Sequence, residues 1–130
     1  MTGHEPCPCG SQDRYDRCCG PFHAGAAAPT AEALMRSRYS AFVLSLHDYL
    51  LATWHASTRP AALDADEPGL KWLGLEVKRH QQQDDTHAVV EFVARSKLGG
   101  RAHRLHETSR FLREQGRWYY VDGDFDQHGR

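Results

Sequence analysis

Four thiols crowd into one short stretch: Cys7, Cys9, Cys18 and Cys19 fall within thirteen residues, and no other cysteine occurs in the chain. Structural cysteines scatter through a core; thiols packed this closely share one partner. Zinc takes four thiolate or imidazole ligands in a tetrahedron, with Zn–S about 2.3 Å. A turn at Pro8-Cys9-Gly10 can aim two sulfurs at one centre, Gly10 supplying the positive φ that tight turns need. A helical turn over residues 13–17, with Ser11 as its N-cap, brings Cys18 and Cys19 back to that centre. Gly20 and Pro21 are expected to stop it. Four protein ligands leave no open coordination position, so such an ion is structural rather than catalytic.

Disulfides are the competing reading. A Cys18–Cys19 bridge is vicinal and strained, and a Cys7–Cys9 ring is too small for the relaxed Cα separation of about 5.5 Å. Only cross-pairings remain, and a reducing compartment disfavours them. The Cys-x-x-Cys spacing of a redox pair is absent. His4 and His23 stand next as ligands, and otherwise are flanking surface residues.

Stepping outward from the thiols, 130 residues with 40% hydrophobic and 25% charged composition describe one soluble domain with a small appendage. No apolar run reaches the roughly 18 residues of a membrane span, and residues 1–5 carry no secretory pattern. A cytoplasmic protein is expected. The net charge of −1 argues against a broad electrostatic nucleic-acid binder.

Residues 20–29, with two glycines and two prolines, read as a linker in which Phe22 packs the knob against the main domain. Thr30 caps a helix whose Leu34, Met35, Tyr39, Phe42, Val43 and Leu46 recur at three- and four-residue spacing, to about Leu44. A shorter helix starts at His47-Asp48 with Tyr49, Leu50, Thr53 and Trp54 inward, and His55 placed to cap its last carbonyls. Residues 56–70 read as a loop with a helical turn over residues 60–63. Four strands follow: residues 72–77, 86–97, 102–113 and 117–122. In the second, Val90, Phe92 and Ala94 share one face and Val89, Glu91, Val93 and Arg95 the other. The expected fold is α+β: an N-terminal zinc knob, then two or three helices packed on one face of a curved antiparallel sheet of about four strands.

The stretch Cys7-Pro8-Cys9-Gly10-Ser11, with Tyr15 and Cys18-Cys19-Gly20, resembles the SEC-C zinc motif named for the C-terminal tail of the SecA preprotein translocase. The motif's four zinc ligands correspond to Cys7, Cys9, Cys18 and Cys19. In the SecA tail the knob is lysine-rich and contacts a chaperone and the ribosome. Here Gln12-Asp13-Arg14 replaces the usual Gly-Lys-Lys, and residues 1–24 set Glu5, Asp13 and Asp16 against Arg14 and Arg17. The resemblance extends through residues 34–42, Tyr49-Leu50, residues 53–55, 72–75 and 107–112, Gly116 and residues 118–123, which together look like the YchJ family. That resemblance implies a SEC-C knob over residues 1–24 and a cone-shaped nuclear transport factor 2-like domain over residues 25–130. Members often carry a second, C-terminal SEC-C motif; residues 127–130 add no cysteine, so one knob is expected.

Cone folds of this type often hold a pocket between the helices and the concave sheet. The candidate lining is Arg38, Trp54, His55, Trp72, Glu107, Ser109 and Tyr120. Glu107, Ser109 and Phe111 share a strand face by parity. A buried carboxylate and histidine can do acid–base work, but no nucleophile–base pair, open metal site or glycine-rich phosphate loop is visible. Arg36 and Arg38 read as a solvated helix face or as an anion clamp. The expected function is therefore a non-enzymatic zinc-knob adaptor with a protein partner. A small-molecule binder or enzyme using the cone pocket is the alternative. RNA or ribosome contact through Arg14, Arg17, Arg36 and Arg38 is the weakest of the three.

Overall fold

A computed structural model describes residues 4–63 and 68–125. Part of the 56–70 loop and the closing residues 127–130 of the sequence reading lie outside these. The element order is a 3-10 turn (Tyr15–Arg17), α1 (Gly20–His23), α2 (Ala31–Leu44), α3 (His47–Ala52), β1 (Lys71–Gln82), β2 (His87–Leu98), β3 (Arg101–Glu114) and β4 (Arg117–Phe125). The strands form one antiparallel meander, β1-β2-β3-β4. Helix α2 lies across its inner face, and no described helix is long and apolar enough to cross a membrane.

Helix α2 begins where its cap dictates. Thr30 is extended and its Oγ1 accepts the Ala33 amide at 3.0 Å. Its C-cap, Ser45, is left-handed at φ 60, and α3 starts two residues later. The core forms between α2 (Ala31, Leu34, Met35, Tyr39) and the inner sheet residues Ala88, Val90, Phe92, Ala94, Phe111 and Trp118. Val93 is also fully buried although it faces outward; Glu76 and His106 flank it in register.

Three register shifts curve the sheet. In β1 they fall between Trp72 and Gly74 and between Val77 and Arg79; on β4 one lies opposite the Arg110–Phe111 step. The first pushes Leu73 outward, 56% exposed, while Trp72 and Leu75 both face the helices. The third pairs Tyr120 with Phe111 and Gly123 with Ser109, which puts residues three apart on one sheet face.

Four local expectations are corrected. Residues 20–29 begin with the single turn α1 rather than irregular chain. Pro21 sits at the start of a helix, where its missing N–H costs nothing. The turn after the first cysteine pair spans only Tyr15–Arg17, and Arg14, not Ser11, precedes it without a side-chain cap. No helical turn forms over residues 60–63. His55 does not cap α3: its amide donates to Tyr120 O at 2.7 Å, and its Nε2 pairs with Glu114 at 3.0 Å.

Candidate functional site

The four sulfurs converge. Their Sγ atoms all lie within 4.8 Å of one another, with Cys9–Cys18 at 3.6 Å and Cys18–Cys19 at 4.0 Å. All four thiols are free, and Cys7, Cys9 and Cys19 are buried. A tetrahedron with Zn–S of about 2.3 Å has edges of about 3.8 Å, so this donor set fits such an ion. The local chain explains the convergence. Gly10 adopts φ 83, and its amide donates to Cys7 O at 3.2 Å, which closes the first turn. The Cys7 amide donates to Asp13 O at 2.8 Å and the Tyr15 amide to Glu5 O at 2.9 Å, tying the two halves of the knob together. Gly20 is forced by packing: a Cβ there would lie 2.8 Å from Tyr15 O.

Electrostatics sets the protonation of the cluster when no cation is bound. The hydrogen bond from Cys19 holds the Cys7 thiol far below the ordinary range, and the same contact pushes Cys19 up. Burial pushes Cys18 to about 11. Four sulfurs this close cannot ionise together without a compensating positive charge.

His4 and His23 are not part of the cluster. His4 contacts Arg14 and Asp16. His23 joins Tyr15 OH at 2.6 Å to Ser37 O at 2.8 Å, carrying the knob's contacts into α2. Ser40, unremarked in the sequence, is fully buried. Its Oγ donates to Cys19 Sγ at 3.3 Å and lies 3.5 Å from Cys7 Sγ. Arg36 Nη1 donates to Cys9 O at 3.2 Å while its Nε pairs with Glu32. Ser37 and Ser40 are polar residues one turn apart on an otherwise buried stripe, and that spacing is the signal that could have found them.

A second polar centre faces the sheet. Between α2 and the strands lies a cavity of about 100 Å³ lined in part by Arg38, Trp72, Glu107, Ser109 and Tyr120. Trp54 and His55 do not line it. Trp54 stands behind Arg38, whose guanidinium carbon lies 5.2 Å from the Trp54 ring and 4.7 Å from the Tyr120 ring. His55 turns away toward Glu114 and Ser57. Arg38 is buried, and its Nη1 donates to Leu50 O at 2.8 Å and Thr53 Oγ1 at 2.7 Å. Burial lowers it to about 10, so it keeps its charge at neutral pH. Glu107 Oε2 accepts from Ser109 Oγ at 2.6 Å and Tyr120 OH at 3.2 Å. Burial and this carboxylate raise the Tyr120 phenol well above its usual range. Gly123 is the cradle: a Cβ there would stand 2.1 Å from Glu107 Oε2. The sequence did not mark Gly123 as part of the site, because only the β4 register shift brings it beside Glu107.

Comparisons with known proteins match both parts. Residues 30–123 match the model of the YchJ middle NTF2-like domain, and residues 5–21 match the SEC-C motif. A UPF0225 protein of Methylibium petroleiphilum is 67% identical over 123 residues, covering 93% of this chain and 89% of the relative. One from Bordetella pertussis is 64% identical over 121 residues, covering 91% of each. The solution structure of a SEC-C motif containing protein from Rhodopseudomonas palustris superposes with TM-score 0.82 at 36% identity, covering 92% of this chain and 98% of that one. A crystal structure of another from Psychrobacter arcticus gives TM-score 0.81 at 31% identity, covering 100% and 88%.

Proposed function

The chain belongs to the UPF0225 family, a SEC-C motif joined to the middle NTF2-like domain of YchJ, and from that premise we propose that Cys7, Cys9, Cys18 and Cys19 hold a structural zinc ion in a knob that docks a protein partner. The observation that carries the metal reading is the convergence of four free sulfurs within 4.8 Å, three of them buried. Such an ion supplies folding energy to a stretch too short for a core of its own. Its chemistry is cross-linking of chain, since all four donors come from the protein.

The outer side of the knob supports a polar protein partner better than a nucleic acid. Glu5, Asp13 and Asp16 are exposed there beside Arg17. Arg14 is spent on Asp16 at 2.7 Å, Arg36 on Glu32 and Cys9 O, and Arg38 is buried. Of these four arginines, Arg17 alone makes no side-chain hydrogen bond or ion pair among the described residues, which is too little charge for a phosphate track. The reading places the protein in the cytoplasm as a non-enzymatic adaptor.

Metal analysis of the purified chain tests the first part. One zinc per chain is expected, falling to background in Cys18→Ser/Cys19→Ser; much less than one in reduced wild-type protein overturns it. Capture with wild-type beside metal-stripped protein tests the second. A partner retained equally by both removes the knob as the docking element.

A further inference from the structure

The polar groups bordering the cavity are only half used, and Arg38 on α2 and Glu107 on β3 both line it. Arg38 bonds through Nη1 alone, leaving Nε and Nη2 without a hydrogen-bond partner among the described residues. Glu107 receives both its bonds on Oε2, the oxygen pressed against Gly123, and Oε1 receives none among the described residues. These atoms are not sealed in: among the described residues His80 Nε2 is the buried side-chain polar atom without a partner. They therefore reach open space, and the space both residues border is the cavity. No ion pair joins the two charges; Glu107 acts on Arg38 across a gap.

Two buried opposite charges that do not touch are costly unless something between them satisfies both. The remaining walls are apolar: Met35, Phe42, Trp72 and Phe92, with Leu105, 37% exposed, toward solvent. We propose that this cavity binds a small amphoteric organic molecule, with an anionic or accepting group on Arg38, a donating ammonium or hydroxyl on Glu107, and a short apolar body on the aromatic wall. The class is that of small amino or hydroxy acids. A volume of about 100 Å³ admits only a few heavy atoms, since about 150 Å³ accommodates benzene. A longer body leaves past Leu105. This site is independent of the metal reading.

The test uses the full chain with its metal and four related probes: 2-aminobutyrate, 2-hydroxybutyrate, butyrate and butylamine. Amide and arginine side-chain NMR shifts report binding at Arg38, Glu107 and Ser109. The first two probes should bind at least about tenfold tighter than the last two, because each adds a charge-assisted hydrogen bond that the monofunctional compounds lack. Glu107→Gln should erase the advantage of 2-aminobutyrate. Ala94→Leu, which fills the cavity without removing a charge, should abolish binding while the amide spectrum away from the cavity shows the chain still folded. The proposal falls if the monofunctional compounds bind as well as the bifunctional ones. It also falls if binding survives Ala94→Leu, or if no probe shifts a cavity resonance at about 50 mM, where even weak sites fill, which leaves water as the only occupant.

Discussion

Helix α2 serves two buried polar centres, one on each of two faces, and they are built in contrary ways. The sulfur centre comes from thirteen consecutive residues whose backbone turns do most of the positioning. The charged cavity draws Arg38 from α2, Glu107 and Ser109 from β3, and Tyr120 and Gly123 from β4. The first offers four donors, as many as a tetrahedral ion takes. The second leaves donors and acceptors unused on facing walls. A closed centre suits a structural ion, whereas an open one suits a molecule that comes and goes. The contrast also shows how far the knob is fused to its neighbour. Cys7, Cys9 and Cys19 pack in the same core cluster as Leu34, Tyr39 and Phe92, and Ser40 bonds the sulfurs of Cys7 and Cys19.

The strongest way to break this comparison is to remove the proposed metal. Chelation, or Cys18→Ser with Cys19→Ser, should cost several kcal/mol. Because the sulfurs share the main core, the whole chain should melt in one transition lowered by roughly ten degrees or more. Two transitions by calorimetry, with the upper one unmoved, would mean that the knob is a separate unit and the fusion is only contact.

On the cavity side, Gly123→Ala places a methyl on the Glu107 carboxylate and should cost about 2 kcal/mol by denaturant titration. Gly74→Ala meets nothing within 4 Å and is the control, expected within about 0.5 kcal/mol of wild type. Equal costs at the two positions would remove Gly123 as the cradle. Between the two regions, Ser40→Ala should cost about 1 kcal/mol and speed metal loss to a chelator; unchanged metal release would show that the serine only fills space.

The smallest expected effect is pH-dependent. His23 links Tyr15 of the knob to Ser37 of α2, and burial holds its pKa below the ordinary 6.5. The folded state therefore prefers neutral His23. Its contribution is complete above pH 6.5 and is lost as pH falls from there through the lower folded value. Wild-type stability measured over that window should decline more steeply than that of His23→Gln; parallel curves would acquit His23 of the coupling.

Much of the fold was legible because its signals are local. The Thr30 cap, the three- and four-residue apolar spacing of α2, and the glycine-bearing turns between strands each depend on a few neighbouring residues. The strands ran longer than the apolar alternation suggested, β1 extending to Gln82, because pairing with β2 continues where side chains turn polar. Parity failed wherever a bulge intervened. Simple alternation would put Leu73 on the face of Leu75 and Tyr120 opposite to Gly123; the bulges reverse both. His55 was misassigned because its amide and ring find partners on β4 and at the end of β3, more than fifty residues away.

What the sequence determined by itself is the sulfur cluster and the order of the two longer helices and the four strands, since ligands no more than twelve residues apart can converge through local backbone turns. What only the tertiary structure decided is the union of Arg38 with Glu107. An arginine on a helix and a glutamate on a strand carry no mark of each other until the sheet curls. The curl depends on bulges, which arise where strand twist and packing against α2 disagree with regular pairing, and no pattern in the residues announces where that disagreement falls.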